Sequence, residues 1–153
     1  VGQLELHLYP NRAPGWCLTC KYPLRRRDEV IGVVGISRDL GRPDERHPIY
    51  DRLMRVVAHL EAHYAEPVHV ETLAALADVS VAQLERHCQR VFQLNPGQLL
   101  IKLRIDAAMR LLHEQGSIAA VGQACGYSDQ SAFTRQFRKL TGLTPGQYRA
   151  LRG

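Results

Sequence analysis

Residues 70–147 carry one pattern written twice, and no other feature of the chain narrows the fold as much. Val70-Glu-Thr-Leu-Ala-Ala-Leu-Ala-Asp-Val-Ser80 aligns with Ile118-Ala-Ala-Val-Gly-Gln-Ala-Cys-Gly-Tyr-Ser128 at an offset of 48. Leu84-Glu-Arg-His-Cys88 aligns with Phe133-Thr-Arg-Gln-Phe137 at 49, and Leu94-Asn-Pro-Gly-Gln98 with Leu143-Thr-Pro-Gly-Gln147 at the same offset. A one-residue slip inside the unit belongs in a turn, where an insertion is cheap. Two copies of one supersecondary unit are therefore expected.

Each copy reads as a short helix, a tight turn and a second helix. A small residue, Ala74 or Gly122, stands where two crossing helices come too close for a larger side chain. The turns, Asp78-Val79-Ser80 and Gly126-Tyr127-Ser128-Asp129, each hold a Ser able to cap the helix that follows. This is helix-turn-helix spacing, whose second helix enters the major groove of DNA. A single such motif is weakly specific, because many helical cores contain small-residue crossings; the repetition makes an accident improbable.

Around the repeat the chain divides by period. Before residue 41 it reads as β-structure: Leu4, Leu6 and Leu8 alternate with polar partners, Trp16 to Tyr22 is rich in strand formers, and Val30–Ile36 is a β-branched run. Arg25 to Glu29 reads as the hairpin connection between the last two. Gly41-Arg42-Pro43-Asp44 reads as a linker. Beyond it the helical period holds to the end, beginning with Leu53, Val56, Val57 and Leu60, and Pro67 limits that first helix.

Charge follows the same division. The whole chain is +5, but residues 79–153 hold 10 basic and 4 acidic side chains, residues 44–78 hold 3 and 7, and residues 1–43 hold 7 and 4. The second half is the part suited to an anionic partner. Val30–Ile36, the longest apolar run, is about a third of the roughly 20 residues a membrane span needs. No Ser/His/Asp or phosphate-loop pattern is present, so neither an enzyme nor a cofactor site is expected. Cys17-Leu-Thr-Cys20 has metal-ligand spacing but no second pair nearby, and strand residues three apart face opposite ways. His59 and His63 share a helix face without the metalloprotease order. Cys88 and Cys125 fall on apolar stripes and read as core. Four cysteines in 153 residues and no signal pattern suggest a reducing cytoplasm, and the missing initiator Met suggests the later part of a longer protein.

The segment from Ile118 to Arg149 resembles, over nearly its full length, the signature of the C-terminal DNA-binding domain of arabinose-operon-type (AraC/XylS) transcription regulators. The resemblance covers about residues 50–152. The first copy is looser, with His87, Cys88 and Gln93 where the family has an apolar residue, an aromatic and a glycine. The resemblance implies a mainly α fold: seven helices forming two helix-turn-helix subdomains, about 50–95 and 114–153. A long helix from Pro96 to about His113 would join them, roughly 25 Å at ~1.5 Å per residue. It further implies an activator or repressor that reads double-stranded operator DNA in successive major grooves, with RNA polymerase as a further partner.

Base-reading residues follow from which stripe is buried. In the second copy Phe133, Phe137 and Leu140 face inward, leaving Gln130, Ser131, Thr134, Arg135 and Arg138 outside. In the first copy Leu84, Cys88 and Val91 face inward, leaving Ser80, Ala82, Gln83, Glu85, Arg86, Gln89 and Arg90. Gln bonds adenine bidentately, Arg bonds guanine, Ser and Thr approach bases or phosphates, and Glu accepts from cytosine N4.

Residues Trp16–Arg25 and Val30–Leu40, ending in Gly-Ile-Ser-Arg-Asp, resemble the last two strands of a PAS sensor domain. That resemblance implies a partial sensor segment over 1–43, an antiparallel β segment ahead of a DNA-binding domain at 44–153. Three short strands lack stability alone, so a partner sheet or a second copy meeting this segment is expected. Two other readings stand beside the regulator: an interaction or signalling module that uses the helical repeat without DNA, and a DNA-repair methyltransferase carrying a reactive cysteine.

Overall fold

The computed structural model describes residues 2–8, 14–39, 48–114 and 116–151. Three antiparallel strands, β1 (Gly2–Leu8), β2 (Pro14–Arg26) and β3 (Glu29–Asp39), form a sheet in the order β1-β2-β3. Seven helices follow: α1 (Pro48–His63), α2 (Val70–Ala77), α3 (Val81–Phe92), α4 (Pro96–Leu111), α5 (Ile118–Ala124), α6 (Gln130–Thr141) and α7 (Pro145–Ala150). The expected architecture of a short antiparallel β segment and seven helices is what the chain adopts. The linker read at Gly41–Asp44 lies outside the described residues.

The strands run further than their apolar patterns. Arg25 and Arg26 belong to β2, and the hairpin closes on Arg27-Asp28 with Arg27 at φ 56. A register shift at Leu24/Arg25 marks a bulge beside this connection, which bends the hairpin locally. Pro23 lies in the part of β2 beyond Cys20, where pairing with β1 has ended and β2 is paired with β3 alone. Val30 packs on the helical domain and the ring of Pro23 lies against Gly142. Tyr22, Leu24, Ile31, Val33, Val34 and Ile36 remain exposed.

The helices build two cores rather than one. Ile49, Leu53, Val56, Val57 and Leu60 of α1 pack with Leu73, Ala74, Leu84, Cys88, Phe92 and Leu99. Ile105, Ala107, Ala108 and Met109 pack with Val121, Cys125, Phe133, Phe137, Leu143 and Tyr148. Helix α4 serves both, its first half facing one core and its second half the other. Its 16 residues span about 24 Å at 1.5 Å per residue. It ends at Leu111, two residues before the expected His113, whose N–H tightens onto the Arg110 carbonyl in a closing turn. Along α4, Lys102 is buried and pairs with Asp106 one turn on.

Caps set the phase of each helix. Asn95 with Gln98 and Thr144 with Gln147 form equivalent capping boxes, each followed by Pro at the first helical position. Ser80 caps α3 as expected. In the second copy the cap is Asp129, not Ser128: its carboxylate accepts from the Ala132 N–H at 2.7 Å. The slip between offsets 48 and 49 thus lands one residue before the cap. Asp129→Ala is expected to cost about 1 kcal/mol in thermal or urea unfolding, whereas the exposed Ser128→Ala should stay within about 0.5 kcal/mol.

Candidate nucleic-acid interface

Each unit places its second helix over its first through a small residue. A Cβ on Gly122 would stand 3.0 Å from the Phe133 ring, so the α5–α6 crossing could take one only if that buried ring gave way. Ala74 fills the corresponding place in the first unit and is buried. Helix α3 then hides Leu84, Cys88 and Phe92, and α6 hides Phe133 and Phe137. Val91 and Leu140, expected among the buried residues, are only partly covered. In α3 the buried line runs one residue off, ending on the larger Phe92.

The turns are pinned differently. Asp78 and Gly126 occupy equivalent positions, and both are left-handed, at φ 53 and φ 85. The Asp78 carbonyl accepts from Arg52 of α1 at 3.1 Å, and its carboxylate lies 3.9 Å from the same guanidinium. Gly126 abuts the backbone of Ala65: a Cβ there would meet that carbonyl oxygen at 2.8 Å. The left-handed φ favours glycine at this position, and the space beside Ala65 requires it.

On the outer faces, Ser80, Ala82, Gln83, Glu85, Arg86, Gln89 and Arg90 are all exposed. Ser80 and Gln83 are also tied to each other: the Ser80 hydroxyl accepts from the Gln83 N–H and the Gln83 Oε1 accepts from the Ser80 N–H. The Gln83 amide N–H groups and the second lone pair of its oxygen are not used by this box. On α6, Gln130, Ser131, Arg135 and Arg138 are exposed and Thr134 is half-buried. Two side chains went unread in the sequence. Lys139, exposed on α6, stands at the repeat position of Arg90, so the offset of 49 alone would have found it. Arg52 acts through the turn and carries no such local signal.

Neither Cys88 nor Cys125 forms a site among the described residues. Cys17 and Cys20 lie on β2, with their side chains outside the described residues. Burial pushes the thiols of Cys88 and Cys125 up to about 12 and about 11, which makes them poor nucleophiles near neutral pH. The rings of His59 and His63 stack 4.6 Å apart, and His63 Nδ1 lies 3.3 Å from Glu66 Oε1. Among the described residues no group of three potential metal ligands converges, and no described helix is long and apolar enough to cross a membrane.

Residues 73–151 match the profile of the Helix-turn-helix domain family. A solved AraC-type regulator from Chromobacterium violaceum superposes with a TM-score of 0.65 at 31% identity, over 68% of this chain and 94% of that one. The chain belongs to the AraC-type family of helix-turn-helix DNA-binding domains. The DNA-binding domain of AdpA, a global transcriptional factor solved in complex with a target DNA, is 33% identical with a TM-score of 0.56, covering 67% of this chain and 90% of that one. The probable transcriptional regulator LumQ of Photobacterium leiognathi is 29% identical over 114 residues, 74% of this chain and 46% of LumQ. The chain spans less than half the length of the curated relatives it matches. These relatives carry the names of transcription regulators, and the AraC-type assignment accounts for both units and α4. It leaves the PAS resemblance of residues 1–43 unsupported.

Proposed function

We propose that this AraC-type domain reads one operator through α3 and α6, set in successive major grooves of double-stranded DNA. The observation that carries the reading is the correspondence of the two exposed faces. Ala82, Glu85, Arg86, Gln89 and Arg90 stand at the repeat positions of Ser131, Thr134, Arg135, Arg138 and Lys139, and all of them but the half-buried Thr134 are exposed. Arg86 and Arg135 are the guanine readers, Gln89 and Gln130 suit adenine, and Glu85 suits cytosine. Arg90, Arg138 and Lys139 suit the flanking phosphates, and Ser80, Gln83 and Ser131 suit either kind of contact. The α6 face is the more basic and α3 holds the single acid, so the two half-sites differ in sequence. Grooves on one side of a duplex recur every ~34 Å, a step that α4 and the bodies of the two units can cover together without a dimer.

The wider reading divides the protein into a partial sensor segment at 1–43 and the DNA-binding domain at 44–153, with units at about 50–95 and 114–153. In the whole regulator, sensor control passes through the N-terminal segment, a second copy pairs with the exposed apolar strand β3, RNA polymerase is contacted at the promoter, and the protein works in the cytoplasm. The apolar side chains along β3 support the pairing, the regulator names of the relatives support a role at a promoter, and sensor control rests on the resemblance of residues 1–43 alone.

Selection from random duplexes across a salt series tests the core of this. The expected result is a long asymmetric motif whose affinity falls at least about tenfold between about 50 and about 200 mM salt. Arg135→Ala should cost about 1–3 kcal/mol on that motif and relax the preference at one or two bases. Absent or salt-insensitive binding would instead establish an interaction module.

A further inference from the structure

The spacing between the two reading helices is held by a contact that no DNA-facing residue makes. Helix α4 changes allegiance in its middle: Leu99 and Leu103 pack on the first core, and Ile105 and Ala108 on the second. Arg104 lies at that changeover. Its Nε–H donates to the Tyr64 carbonyl at 2.7 Å and its Nη2–H to the Glu66 carbonyl at 3.0 Å. These carbonyls follow the last turn of α1, where backbone oxygens have no helical partner and a cation is favoured. The same guanidinium stands 5.8 Å from the ring of Tyr127, in the turn between α5 and α6. Beside it, the ring of Tyr64 packs on the second core, and Gly126 leaves room for the Ala65 carbonyl.

One side chain of the linker helix thus touches the end of α1 in the first unit and the turn that aims α6 in the second. A helix alone fixes the distance between two bodies but leaves rotation and bending at its ends to local packing. The Arg104 fork, with its two donors and planar face, removes that freedom.

We propose that Arg104 is a positioning residue which sets how many base pairs may separate the two half-sites. This rests on the reading that α3 and α6 share one operator. A rigid pair of readers gains from the second half-site only when it falls at the built-in separation; a loosened pair gains less at that separation and tolerates others.

The test uses the 153-residue chain and a duplex series in which the selected motif keeps both half-sites while the intervening sequence is shortened or lengthened by one or two base pairs. For the unmodified chain, one added base pair should weaken binding at least about tenfold. In Arg104→Met, which keeps the apolar stem, the best site should weaken while the off-length sites come within about threefold of it. Arg104→Lys, which keeps the charge but cannot fork to both carbonyls, should recover part of the length preference. It also serves as the readout should Arg104→Met fail to fold. Helicity and base preference within each half-site should stay unchanged, which a general loss of structure would not allow. A folded Arg104 variant with the unmodified length profile would overturn this role and leave the two-groove reading intact. An unmodified chain that binds a single half-site as well as two would overturn both.

Discussion

Phe133→Ala is expected to destabilise the second helix-turn-helix unit by about 3–5 kcal/mol, the usual cost of truncating a fully buried phenylalanine. The ring is inaccessible to solvent, lies over Gly122, and meets Tyr127 and Phe137 at centroid distances of 5.3 and 5.7 Å. Nothing nearby can collapse into the void, because Gly122 has no side chain and Phe137 is already held edge-on to Tyr148. A small domain has only about 5–15 kcal/mol in total, so α6 would lose its support at modest urea concentration. Denaturant unfolding should show the second unit melting at a lowered midpoint, while Gln123→Ala, exposed on α5, should change its stability by less than about 0.5 kcal/mol. The first core shares no buried residue with the second, so the transition of the variant is expected to split in two. An unchanged midpoint would mean that Phe133 does not support α6 in solution.

The second large effect concerns recognition rather than stability. Arg86→Ala combined with Arg135→Ala should remove about 2–6 kcal/mol from operator binding, because each contributes about 1–3 kcal/mol and the two sit on separate units where losses add. Residual binding would then approach the non-specific level, retaining most of its salt dependence through Arg90, Arg138 and Lys139. Both side chains are exposed, so melting should not change. Competition between the selected operator and a scrambled duplex measures the loss directly. If the double variant still prefers the operator, the exposed faces of α3 and α6 are not the readers.

Much of this was legible in the residues, for a physical reason. Repetition reports local structure: caps, turns and buried stripes are short-range, so two copies written at the same spacing expose the unit. The misplacements are also local. Asp129 displaces Ser128 as the cap because the slip falls before it, and Phe92 displaces Val91 because a large aromatic at the helix end takes the space. Arg104 was illegible for the opposite reason. Its partners lie 38 and 40 residues back and its ring partner lies in the other unit, so no window of sequence contains the arrangement. Gly126 was the available hint, since its counterpart Asp78 shows that the conformation alone does not demand glycine. Arg149 repeats the device at the far end of α4, its Nε–H reaching the Leu112 carbonyl at 3.2 Å.

The division of α4 between two cores has an evolutionary meaning. The two cores share no buried residue, so under the proposed two-groove reading each half of the operator can change together with its own reader. Divergence within such a lineage would then proceed by half-words, with the vocabulary of one end rewritten while the other is inherited unchanged.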